Sequence, residues 1–187
     1  MHERQERPMQ RRARRAVATG VLATTSCAAV VLGPAAWAAP ADTGEEPTPC
    51  KGEQIAVSTS PTQVAVGHRA LTLIFTLASG AAPCTLSGYP DVESGAGGPL
   101  IHAKPTPRGY MGGLPATDTV PPTATLSLAQ RAQAIVEGMA IDGNGNQCPT
   151  YTDLRVNLPN TVEVFTVPTT IEACQLQVHP ITDTLSA

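Results

Sequence analysis

Hydrophobic positions fall into two regimes along the chain. From Ala16 to Ala36 they run almost unbroken, and from Cys50 onward they come in short runs, the longer ones with a spacing of two. The clearest run is Arg69 to Ala78, where Leu71, Leu73, Phe75 and Leu77 alternate with Thr72, Ile74 and Thr76. Successive strand side chains point to opposite faces, so this spacing predicts a strand with one firmly buried face. Ile74 leaves its other face only partly wet. Arg131 to Ile141 has the same period: Ala132, Ala134, Val136 and Gly138 alternate with Gln133, Ile135, Glu137 and Met139. Its alanines would permit a helix, but the period of two predicts a strand.

Shorter extended segments are expected at Gln54–Ser60, Cys84–Leu86, Asp91–Glu93, Thr117–Val120, Thr123–Leu128, Leu154–Asn157, Val162–Val167 and Gln175–Val178. Glycine, proline and asparagine punctuate them at Ala78–Pro83, Ser94–Pro99, Asp142–Asn146 and Pro159-Asn160. Past the first regime the pattern contains no convincing helix, internal repeat or heptad. Short strands at about 8–12-residue spacing, with turn residues between them, predict an all-β fold, an antiparallel β-sandwich.

The first regime has a different meaning. Six arginines (Arg4, Arg7, Arg11, Arg12, Arg14 and Arg15) precede it, and it closes on Ala36-Trp37-Ala38. A basic start, an apolar middle and a small-x-small end are the marks of a secretory leader. Gly20, Gly33 and Pro34 weigh against a retained membrane span, and the uncleaved leader would be the chain's one means of membrane attachment. Residues 1–38 are therefore read as a signal peptide, 39–49 as a flexible acidic spacer, and 50–187 as one β-sandwich domain. Removal of the leader leaves six basic against thirteen acidic groups, a net charge of −7 with histidine neutral. That balance opposes binding to nucleic acid or anionic lipid. Only five aromatic residues then remain, a thin supply for stacking on sugars or bases.

Export places the cysteines where thiols oxidise. Cys50, Cys84, Cys148 and Cys174 allow three pairings, and their distribution favours Cys50 with Cys84 and Cys148 with Cys174. Zinc sites place ligands within a few residues of each other, and neither these cysteines nor His68, His102 and His179 show such spacing. No metal or cofactor is expected.

The segment Pro83-Cys84-Thr85-Leu86-Ser87-Gly88-Tyr89-Pro90 follows the Leu71–Leu77 strand. Together with Cys50 before the first strand, and Cys148 and Cys174 flanking Leu154 and Val156, it resembles a family of exported, mostly actinobacterial proteins labelled domain of unknown function 4232. The likeness runs from Cys50 to Pro180. It departs at Gln130-Arg131, where proline-glycine is more usual. The resemblance implies an immunoglobulin-like sandwich at the cell envelope, with no established activity and no catalytic residues. Within the hallmark, Tyr89 is expected to bury its ring and tie its hydroxyl to a backbone carbonyl, as corner tyrosines do.

Catalytic motifs are missing. There is no G-x-S-x-G run, no Ser-x-x-Lys, and no free thiol once four cysteines are paired. His68 and His179 are expected to be exposed residues at strand ends. Asp142, Asn144, Asn146 and Asp153 have the opening and twelfth-position spacing of a calcium loop. Gln147 stands where such a loop requires glycine, and the segment is read as a tight turn. The functional expectation is a secreted or envelope-associated binding module with an unknown extracellular ligand, not an enzyme. Its candidate contact is the exposed Lys104–Leu114 loop, at Tyr110 and Met111. The alternatives are an envelope hydrolase using His102 or His179 with a nearby carboxylate, and a purely structural extracellular protein.

Overall fold

A computed structural model describes residues 47–184. The leader and most of the spacer lie outside the described residues. A single 3-10 turn, Gly52–Gln54, leads into β1 (Ile55–Thr59). Then follow β2 (Gln63–Ala65), β3 (His68–Leu77), β4 (Cys84–Ser87), β5 (Asp91–Ser94), β6 (Lys104–Pro105) and β7 (Thr123–Leu126). The chain continues through β8 (Ala132–Met139), β9 (Thr150–Asn157), β10 (Val164–Glu172), β11 (Leu176–Val178) and β12 (Thr182–Asp183). The fold is all-β, and both long period-two segments are strands.

The strands form three sheets. The largest runs β1-β3-β8-β11-β6, with β2 also on β3 and β12 also on β8; the others are β10-β9-β5 and β4-β7. The β3–β8 register sets Leu71 against Val136, Leu73 against Ala134 and Phe75 against Ala132, large side chains beside small ones. Leu73, Phe75, Ala132 and Val136 are wholly buried. They join Val92 of β5, Ala124 and Leu126 of β7, Leu154 and Val156 of β9, Ile171 of β10 and Val178 of β11 in one core. Full burial of each of the larger side chains contributes about 1.5–3 kcal/mol.

Both disulfides join the neighbours favoured by cysteine order, Cys50–Cys84 and Cys148–Cys174. The first anchors the N-terminal segment to β4, where Pro49 forms a parallel bridge with Thr85 and the Thr85 amide donates to Thr48 O. Thr48 and Pro49, within the expected spacer, are thus paired with β4. The second closes the open end of the β9–β10 hairpin. The Cys148 and Cys174 amides donate to Ala140 O and Met139 O, which ties that end to the end of β8.

Several details depart from the sequence pattern. β6 pairs with β11 in parallel, because it arrives by a long excursion after β5 and not through a hairpin. Thr117–Val120 is not extended: Ala116-Thr117 forms a turn in which the Asp118 amide donates to Pro115 O. β10 continues past Pro168, which has no N–H to donate, to Glu172, and its register shifts between Pro168 and Ile171. An irregularity beside proline at a sheet edge is where such a residue is tolerated. Tyr89 is only half-buried, and the tyrosine that buries its ring and ties its hydroxyl to a backbone carbonyl is Tyr151. Tyr151 has no exposed surface, and its hydroxyl donates to Pro99 O at 2.6 Å.

Candidate functional site

Among the described residues several places gather polar groups around a cavity, and two of them bear on the site. The first is a groove of about 650 Å³ beside the β10 irregularity, lined by Thr59, Thr62, Arg69, Thr169, Thr170 and Glu172 among others. Its polar groups are largely committed to each other. Thr59 and Thr62 donate to the Pro168 and Thr170 carbonyls, and Arg69 pairs with Glu172. These contacts stitch β1 and β3 to β10, so the groove is a structural seam.

The second place is the outer face of the large sheet, and it is built differently. β8 sends Ala132, Ala134 and Val136 inward and Gln133, Ile135 and Glu137 outward, as strand alternation requires. An outward glutamate should be wet, yet Glu137 is 5% exposed. The segment from Lys104 to Leu114 covers it. That segment was expected to be an exposed loop. Lys104, Pro105, Gly109, Tyr110 and Gly113 are indeed exposed, and the segment lies as a strap across the sheet, fixed at one end by β6 and at the other by the buried Leu114.

The strap turns back on itself at a two-residue tip, Tyr110-Met111. Gly109 N donates to Gly112 O, Leu114 N donates to Pro107 O, and Arg108 bridges Gly113. Gly113 has φ +106, and a Cβ there would lie 2.4 Å from Arg108 Cα, so the turn requires glycine at that position. The Arg108 guanidinium donates to the Leu114, Pro115 and Asp118 carbonyls and braces the following segment.

The Glu137 carboxylate lies beneath the tip and accepts from both tip amides, Tyr110 N at 3.0 Å and Met111 N. A Cβ on Gly109 would approach Glu137 Oε2 to 2.4 Å, so this position too must be bare for the strap to close on the carboxylate. Behind the carboxylate stands His179, 1% exposed, with Nε2 3.2 Å from Glu137 Oε1. Nε2 makes no hydrogen bond in this arrangement. The other ring nitrogen, Nδ1, lies 3.0 Å from Thr106 O. His179 is thus no exposed strand-end residue: it is sealed under the strap. His68, also expected to be exposed, is half-buried and stacks on Tyr110, with ring centroids 4.3 Å apart. His68, Gly109, Tyr110, Glu137 and Met139 border a small cleft of about 160 Å³.

Tyr110 and Met111 are therefore brought together with His68 and His179. His102 is elsewhere, 3.1 Å from Glu93, which also pairs with Arg155. Most of this cluster is open to solvent, where such pairs are worth about 0–1 kcal/mol. Among the described residues, neither histidine–carboxylate pair has a serine hydrogen-bonded to it. The residue that organises the site, Glu137, was read from the sequence only as an alternating strand position. Its signal is faint: one acid in an otherwise uncharged strand, with Gly109, Gly112 and Gly113 elsewhere in the chain to admit a close cover.

Sheets, core and bridges define a disulfide-stapled all-β domain whose outer face carries a pinned strap. Residues 50–182 match the family described as a domain of unknown function (DUF4232), and the chain belongs to that family. No curated protein and no solved structure matches it.

Proposed function

We propose that the chain is a non-catalytic binding module, secreted or held at the cell envelope once its leader is removed. Its body is an immunoglobulin-like sandwich of the kind found in exported actinobacterial proteins, and it contacts an extracellular ligand through the Tyr110-Met111 tip. The carrying observation is the Glu137 carboxylate, which takes the two tip amides from beneath. A tip held this way presents Tyr110, 65% exposed, with little conformational entropy left to lose on binding. The two disulfides fit an oxidising compartment. The hydrolase alternative draws no support from His179, whose ring is enclosed between Thr106 and Glu137 away from any substrate.

The test is recovery of partners from envelope extract by the full chain and by a Tyr110→Ala, Met111→Ala variant of equal stability. The reading expects at least one partner to be lost with the tip. Equal recovery of every partner by the two proteins would rule it out.

A further inference from the structure

An edge strand offers unpaired N–H and C=O groups to any strand that approaches it, and most edges of this fold are blunted. β6 carries Lys104 and Pro105, and β10 carries Pro168 beside its register shift. β4 and β5 are bridged on their outer sides by Pro49 and His102. Asp183 of β12 accepts from the Thr125 amide of β7, and Thr59 of β1 donates to Pro168 O of β10. Apart from being short, β2 has none of these devices. Among the described residues it pairs with β3 alone. No charge occurs from Ser60 to Gly67 and no proline after Pro61, and Val64 at the centre of the strand is 68% exposed.

The direction of the free groups follows from the register. Thr72 O accepts from the Ser60 amide, so the β3 main chain turns to this edge at Thr72 and, in steps of two, at Ala70 and His68. Ala70 and His68 stand opposite Gln63 and Ala65. Those two residues of β2 are therefore bonded to β3, and Val64 between them points its N–H and C=O away from the sheet. The adjoining turn gives an independent sign. Val66 has φ 38 and is 88% exposed. A β-branched residue is strained in that region, where asparagine would be relaxed, and its side chain gains no burial in return. Strain kept at an exposed apolar side chain points to a contact that uses it.

We propose that β2 pairs antiparallel with β2 of a second copy of this chain, about a two-fold axis at Val64. The occupant of a bare edge is a strand, and this edge is complementary to itself. With the axis there, the two Val64 residues exchange both N–H···O=C bonds. Gln63 lies opposite Ala65 of the second copy, Thr62 lies opposite its Val66, and no like charges meet. Val64 also borders the groove of about 650 Å³ beside β10, which leaves room on that side for the incoming strand. The stretch from Thr62 to Val66 is short against the interface of about 1,200–2,000 Å² that a stable complex buries, so the pairing is weak and depends on concentration.

The experiment is sedimentation velocity with ¹⁵N NMR on the full oxidised chain, from about 10 μM to about 1 mM, the range of a weak complex. The weight-average sedimentation coefficient should rise with concentration. The Val64 amide should shift and gain protection from exchange over the same range, while the β5 amides stay fixed. Val64→Pro removes the outward N–H without touching a bond to β3, and it should abolish the rise. Val64→Lys sets two cations against each other at the axis and should do the same. Val66→Asn relieves the turn, so it should melt at a higher temperature than the unaltered chain and yet associate less. A flat sedimentation profile up to about 1 mM overturns the pairing, and is the result expected if only a segment of another protein fits this edge. Association that leaves the Val64 amide unmoved also overturns it, as does association undiminished in the folded Val64 variants or in Val66→Asn. None of these readouts involves the Tyr110-Met111 tip, so the pairing and the function proposed above can fail separately.

Discussion

Removing the Cys148–Cys174 bridge is the sharpest test of what holds the domain together. The double substitution Cys148→Ala, Cys174→Ala avoids placing a hydroxyl in a largely buried site. The bridge spans 26 residues, and closing a loop of that length in the unfolded chain accounts for about 3.5 kcal/mol. The described domain has an unfolding entropy of about 0.3 kcal/mol/K at roughly 2.1 cal/mol/K per residue, so the loss corresponds to a Tm about 12 °C lower. Native coupling should add to this figure, since both cysteine amides bond to the end of β8. The assay is calorimetric or circular-dichroism melting of the oxidised proteins, with reversibility checked. The same variant should show faster exchange at Met139 and Ala140 than at β4, which the other bridge holds. A fall in Tm of less than about 4 °C, a third of that value, would refute the loop-entropy argument for this bridge.

Other expectations follow from particular residues. Gly97→Ala combines φ +129 with a Cβ 2.0 Å from Thr150 O and should cost about 2–4 kcal/mol in urea unfolding. Gly67→Ala, at φ +81 with nothing near, should cost only about 1 kcal/mol. Tyr151→Phe should lose about 1 kcal/mol with its bond to Pro99 O, and Tyr89→Phe should stay within about 0.5 kcal/mol of the unaltered protein. The Asn146 side chain, then the Asn146 and Asn144 amides, hold the Asp142 carboxyl below its usual range. A carboxylate depressed in this way supports its turn above the unfolded value and loses that support as pH falls through the folded one. The Asn144 and Asn146 amides should accordingly lose order at the acid end of an NMR titration and nowhere else. Because that carboxylate is occupied by its own turn, about millimolar calcium should leave the melting temperature unchanged.

Strand alternation made β3 and β8 legible, because a period of two in the sequence is the same period in space. Cysteine order made both bridges legible, because each joins two cysteines consecutive in the chain. The strap was not legible. It has almost no regular secondary structure of its own, and its place over Glu137 is set by contacts between residues more than twenty positions apart. Alternation set Glu137 apart from Ala132, Ala134 and Val136 on β8, but it contains no information about a cover lying on its face. Tyr151 was missed for a related reason. The Pro83–Pro90 hallmark drew the corner role to Tyr89, whereas the carbonyl that receives the hydroxyl belongs to the glycine turn ending at Pro99. β12 and β6 are two residues each, too short to leave a periodic trace.

The sulfur bridges also decide how the domain meets mechanical load. Tension arriving through the residues before Cys50 crosses directly to Cys84, so β1, β2 and β3 lie outside the covalent load path. The β9–β10 hairpin is shielded likewise between Cys148 and Cys174. Force between the two termini must travel through β4 to β8 and then the short β11–β12 tail, whose few hydrogen bonds to β8 are the first to be tested. That tail carries His179, so pulling on the C-terminus should unseat the strap while β1 to β3 remain folded.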